Sequence, residues 1–156
     1  MAQAVALGAI KYPMIARENT KIVTFDWDSA LDFNGQSAPY IQYAFVRANS
    51  ILRRIENQIP EKGGFDHELH PSEVNLIELI SRLPEEVQRA ARDLKPSLIA
   101  SYAYDLAKAF NDFYNQCQVI KAEGSARESR LRLVEASRLT IEAALKLIGI
   151  KSPPLM

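Results

Sequence analysis

Apolar residues recur at helical spacing along most of the chain, and the breaks between these stretches carry helix start and stop signals. After Gly35-Gln36-Ser37-Ala38-Pro39, the positions Ile41, Ala44, Phe45, Ala48, Leu52 and Ile55 fall on one face of a 3.6-residue period. Ser37 is placed to cap this helix and Pro39 fits its first turn. The helix stops before Pro60, and residues 61–66 read as a loop. Pro71-Ser72 opens a second helix, residue 73 to about 82, with Leu76, Ile77 and Ile80 inward. Pro84-Glu85-Glu86 opens a third, its acids favourably placed at the N-terminus. Pro96-Ser97 opens a long helix reaching about residue 122, with Ile99, Ala103, Leu106, Phe110, Cys117 and Ile120 on one side. Gly124-Ser125 breaks it. A last helix runs from about residue 126 to 148 along Leu131, Val134, Ile141, Leu145 and Ile148. Gly149 suits its C-cap, and Pro153-Pro154 forbids continuation. Only residues 21–25 (KIVTF) are short and β-branched enough for a strand, and one strand makes no sheet, so they read as an extended linker or edge piece. The expected fold is all-α, an antiparallel helical bundle without internal repeats.

Composition narrows the classes. At 156 residues, 47% hydrophobic and 24% charged, the chain suits one compact domain with a small appendage. Lys+Arg 19 balances Asp+Glu 19, so nucleic acid cannot be held by bulk charge and would need a local patch with stacking residues. No run approaches the ~20 apolar residues that span a bilayer, and the N-terminus lacks signal-peptide features. The single cysteine, Cys117, has no internal disulfide partner, which fits a reducing cytoplasm.

Self-sufficient catalysis finds no support. GxGxxG, GxxxxGK[ST] and CxxC patterns are missing. Asp26 and Asp28 read as helix-start caps or solvated acids. His67 and His70 lack further ligands at metal spacing and read as exposed polar residues before Pro71. Cys117 lies on an apolar stripe and reads as a small core residue.

A second stripe runs beside the core face of the first long helix. Tyr40, Tyr43, Arg47, Ser50 and Arg54 fall at i, i+3, i+7, i+10 and i+14. Aromatic faces stack on unpaired bases, and guanidinium groups bind phosphate or stack. The other reading makes these tyrosines half-buried core with wet hydroxyls and the arginines solvated. Asn111, Tyr114 and Gln118 form a similar line, i, i+3 and i+7, where two amides flank one aromatic ring. Arg127, Arg130, Arg132 and Arg138 outnumber Glu128 and Glu135 on the last helix and read mostly as solvated or paired.

At these residues the chain resembles the C-terminal part of arginyl-tRNA synthetases, class I aminoacyl-tRNA synthetases. Leu7 to Tyr12 (LGAIKY) is similar to the run after the family's KMSKS loop. Phe25-Asp26-Trp27-Asp28, with Ala30-Leu31, resembles its FDWD element. Most specific is Pro39-Tyr40-Ile41-Gln42-Tyr43-Ala44 with Arg47, Ser50-Ile51 and Arg53. Tyr104 to Ala107, Phe110-Asn111, Phe113-Tyr114, Arg130-Leu131, Leu147 to Gly149 and Met156 complete a likeness in order along nearly the whole chain. Two departures stand out: Phe45 replaces a frequent His, and Glu128-Ser129 replaces the Asp-Ala of the DALR signature.

The resemblance implies that residues 37–156 form a helical anticodon-binding domain and residues 1–36 the tail of the catalytic domain or the segment connecting to it. It implies that Tyr40, Tyr43, Tyr114 and Met156 face the anticodon loop, with Gln118 and Asn111 beside them. Arg47 and Arg54 are expected on the loop's phosphates. Arginine anticodons carry C in the middle, so backbone near Met156 is expected to read a cytosine edge. The implied partners are tRNA(Arg) and the parent's catalytic domain, with no membrane or DNA. The parent enzyme joins arginine to tRNA with ATP and Mg2+. Neither a HIGH-type nor a KMSKS sequence occurs here, so this piece is expected to bind without cofactors and to be inactive alone. Alternatives are the anticodon-binding domain of another class I synthetase, or a free-standing helical protein-interaction module derived from one.

Overall fold

The computed structural model describes residues 2–18, 22, 24–56, 59–60 and 64–156. Among these there are seven helices and no strand: α1 Ala2–Ile15, α2 Trp27–Ala30, α3 Ala38–Arg54, α4 Pro71–Ser81, α5 Leu83–Asp93, α6 Ser97–Gln116 and α7 Gly124–Leu147. Helices α3, α6 and α7 pack on one another, with α4 and α5 laid against α6. The expected helical bundle is therefore present. Lys21 and Val23 of the expected linker lie outside the described residues, as do residues 61–63 of the expected loop.

Local chemistry explains the boundaries. Ser37 Oγ accepts from the Tyr40 N–H at 3.2 Å, with Pro39 in the first turn of α3. Ile41, Ala44, Phe45, Ala48 and Leu52 of α3 are buried against Leu106, Phe110 and Phe113 of α6 and Leu131, Val134, Ile141 and Leu145 of α7, in one core. Gly149 takes φ +67° after α7, and the Ile150 N–H returns to the Leu145 carbonyl at 2.9 Å. Asp26 caps α2, accepting from the Ser29 N–H at 2.8 Å, and those hydrogen bonds hold its carboxyl below the usual range.

Three expectations are corrected. The apolar period extends α6 to about residue 122, but the helix ends at Gln116 and Cys117 adopts φ −113°, ψ 127°. Cys117 and Val119 remain buried from an irregular loop, while Ile120, expected inward, is exposed. Core contact made by a loop mimics the helical stripe. Second, His67 is not an exposed polar residue: its side chain is half-buried, with Nε2 3.3 Å from Glu73 Oε1. His70 is exposed, and its ring caps α4 by accepting from the Ser72 N–H at 3.2 Å.

Third, periodicity marks no helix before residue 38, yet α1 is helical and integral. Its sequence, AQAVALGAIKYPMI, is nearly all apolar, so no polar face frames a stripe. Gly8 allows close approach to α3, since a Cβ there would lie 3.1 Å from both Ala38 Cβ and Gln42 Nε2. Tyr12 is buried and its hydroxyl donates to the Ala100 carbonyl at 3.0 Å. Burial pushes that hydroxyl well above its ordinary pKa. Gln42, also buried, donates from Nε2 to the carbonyls of Ala4 at 3.2 Å and Lys151 at 2.8 Å. One amide thus ties α1, α3 and the C-terminal tail together.

Candidate nucleic-acid interface

An open groove of about 380 Å³ runs between α3 and the loop after α6, a volume within the range of small-ligand sites. Arg47, Ser50 and Arg54 line one wall; Tyr114, Gln118 and Lys121 line the other. Positions 47, 50 and 54 come from successive turns of α3, so helical geometry alone sets them in a row.

Arg47 is the centre of the arrangement. Its Cζ lies 4.8 Å from the Tyr43 ring centroid and 4.8 Å from that of Tyr114. Its Nη1 donates to Asn111 Oδ1 at 2.9 Å. One guanidinium therefore bridges a tyrosine of α3, a tyrosine of α6 and an amide of α6. The two rings are neither sealed in the core nor free: Tyr43 is 40% and Tyr114 39% exposed. Phe33 meets the Tyr43 ring edge-on, with centroids 6.4 Å apart. Phe33 was not a sequence candidate, because it lies outside the periodic segments and only the fold brings it to α3.

The remaining candidates separate. Tyr40 is half-buried and does not line the groove; its ring lies 5.3 Å from that of Tyr104 on α6. Gln118 is on no helix, yet it lines the groove. Arg54 is exposed at the groove's end. Met156 is half-buried against the core and does not line this groove.

The loop carrying Gln118 and Lys121 is braced from α7. Arg130 Nη1 donates to the Gln118 carbonyl at 3.0 Å, while its Nε donates to Glu73 Oε1 at 2.9 Å. Burial acts to raise the Glu73 pKa, but hydrogen bonds from Arg130, the His70 N–H and His67 outweigh it and hold the carboxyl below its usual range. The Glu73 hydrogen bond raises Arg130 in turn. Among the described residues no group of three or more His, Cys, Asp or Glu is placed to hold a metal ion. Among the described residues no helix is long and apolar enough to cross a membrane.

Fold and groove together define an all-helical domain with a cation-bridged tyrosine pair at its surface. Residues 41–156 match the profile of the DALR anticodon binding domain, and the chain belongs to that family. It is 41% identical over 156 residues to an arginine–tRNA ligase of Haloarcula marismortui, covering all of this chain and 27% of that protein. It is 46% identical over 159 residues to the arginine–tRNA ligase of Pyrococcus abyssi, covering all of this chain and 25% of that one. The arginyl-tRNA synthetase structure of Thermus thermophilus superposes with a TM-score of 0.89 at 37% identity, over 99% of this chain and 27% of that one. The chain thus spans about a quarter of the length of the relatives it matches.

Proposed function

We propose that this chain is the anticodon-recognition portion of an arginine–tRNA ligase and binds the anticodon loop of tRNA(Arg). The observation that carries the reading is the half-exposed tyrosine pair 43 and 114 beside a groove with a cationic wall. Half-exposed rings offer faces for splayed bases, and such loops are recognised by stacking plus edge hydrogen bonds. Asn111 and Gln118 supply amides for base edges. Arg47, Arg54 and Lys121 are cations at the site, with Arg54 exposed and available to a phosphate. Tyr40 and Met156 join the interface from its flanks.

Residues 37–156 act as the binding unit and residues 1–36 as the tail of the catalytic domain or connecting segment, anchored through Tyr12, Lys11 and Gln42. Lys11 Nζ donates to the Gly149 carbonyl at 2.8 Å, which supports a fixed junction. Adenylate chemistry with ATP and Mg2+ belongs to the rest of the parent enzyme, because the HIGH and KMSKS elements are not in these 156 residues. The setting is the cytoplasm, where translation occurs.

The test is binding of a labelled tRNA(Arg) anticodon stem-loop, followed by fluorescence anisotropy, against the same stem-loop with its middle C changed to U. Tighter binding of the C form is expected. Equal affinity for the two rejects the reading.

A further inference from the structure

We propose that Arg47 is a positioning residue that sets the two tyrosine rings for stacking, and that it does not itself bind phosphate. The proposal rests on the anticodon reading and deepens it. The guanidinium lies 4.8 Å from both ring centroids, so its flat surface is committed to Tyr43 and Tyr114. One edge N–H is committed to Asn111 Oδ1 at 2.9 Å, which fixes the plane from α6. Arg47 and Asn111 are both half-buried. The two ring contacts and the Asn111 bond together hold this guanidinium between α3 and α6. Both rings keep part of their surface open, Tyr43 at 40% and Tyr114 at 39% exposure, with Phe33 set perpendicular to the Tyr43 ring. Half-exposed rings without such a clamp would sample several rotamers and lose that freedom on binding. The clamp fixes them beforehand, at a spacing set by the approach of α3 and α6. Among the described residues no carboxylate pairs with Arg47, so the ring contacts do not compete with an ion pair.

The test compares Arg47→Met and Arg47→Lys with the unchanged chain, measuring Kd for the stem-loop across a range of salt concentrations. Loss of a positioning residue weakens binding roughly tenfold, the scale of one stacked base, with the slope of log K against log salt unchanged. Lysine keeps the charge but not the plane, so Arg47→Lys recovers little of the loss. The near-UV circular dichroism of tyrosine weakens in both variants while the far-UV spectrum holds. Arg54→Met serves as the contrast: its slope falls by about 0.7–1, as for one lost phosphate contact. A slope drop of that size in Arg47→Met, with affinity restored by lysine, overturns the proposal. Should Arg47→Met fail to fold, Asn111→Ala removes the bond that fixes the plane. It is expected to weaken binding at unchanged slope, and full affinity there overturns the proposal. Stem-loop binding that does not distinguish C from U in the unchanged chain defeats the anticodon reading itself, and this role with it.

Discussion

Arg130 of α7 and Glu73 of α4 are joined at 2.9 Å, and the Glu73 side chain is only 1% exposed. The same arginine reaches the Gln118 carbonyl, so an internal ion pair is tied directly to the wall of the groove. Truncating one partner of a buried pair strands the other charge. Arg130→Ala is expected to lower stability by roughly 3 kcal/mol in urea titrations. Arg138→Ala, which frees Glu135 and Glu142 on a half-buried surface, is expected to cost about 0.5 kcal/mol. Equal costs for the two would show that burial of Glu73 contributes nothing.

The depressed pKa of Glu73 gives the pH dependence its sign. The folded carboxyl binds a proton less readily than the unfolded one, whose ordinary value is 4.5. Its contribution is therefore complete above pH 4.5 and is lost as pH falls through the lower folded value. Denaturation midpoints should hold down to pH 4.5 and drop below it, and Glu73→Gln should flatten that drop. An unchanged pH profile in Glu73→Gln would assign the acid sensitivity elsewhere.

These two residues show which parts of the molecule were legible in the sequence. The α3 cap at Ser37, the apolar faces of α3 and α7, and the cap at Gly149 are local facts, written in neighbouring residues and read correctly. The stripe of Arg47, Ser50 and Arg54 follows from helical spacing for the same reason. Arg130 bonding Glu73 joins positions 57 residues apart, and no local pattern announces it. Phe33 meeting Tyr43 is likewise tertiary. The apolar period runs past the end of α6 because Cys117 and Val119 are buried from a loop. Helix α1 has no legible phase because its run is nearly all apolar. Its LGAIKY motif marked the family but not the shape.

Gly8 offers a test of how α1 is seated. Alanine in a helix interior is favoured over glycine by about 1 kcal/mol. Here the added methyl would sit 3.1 Å from Ala38 Cβ and from Gln42 Nε2, which already donates to two carbonyls. Relief must come from Ala38 or from the Gln42 amide, and shifting that amide strains its bonds to the two carbonyls. Leaving one of those part-buried groups unpaired costs roughly 2 kcal/mol, so against the helix gain Gly8→Ala is expected to destabilise the chain by about 1 kcal/mol net. A rise in melting temperature would mean that α1 moves off α3 at little cost.

The tyrosine pair carries the functional reading, and the two rings should not behave independently. Tyr43→Ala and Tyr114→Ala are each expected to weaken stem-loop binding by about 1–3 kcal/mol, the range for losing one stacked base. Both rings lean on the same guanidinium, so removing one loosens the other. The double variant should therefore cost less than the sum of the two singles. Phenylalanine keeps the ring face and loses only the hydroxyl, so Tyr43→Phe and Tyr114→Phe should retain most of the affinity. Strict additivity would place the two tyrosines on separate features of the RNA. A large loss in the phenylalanine variants would transfer the role from the ring faces to the hydroxyls.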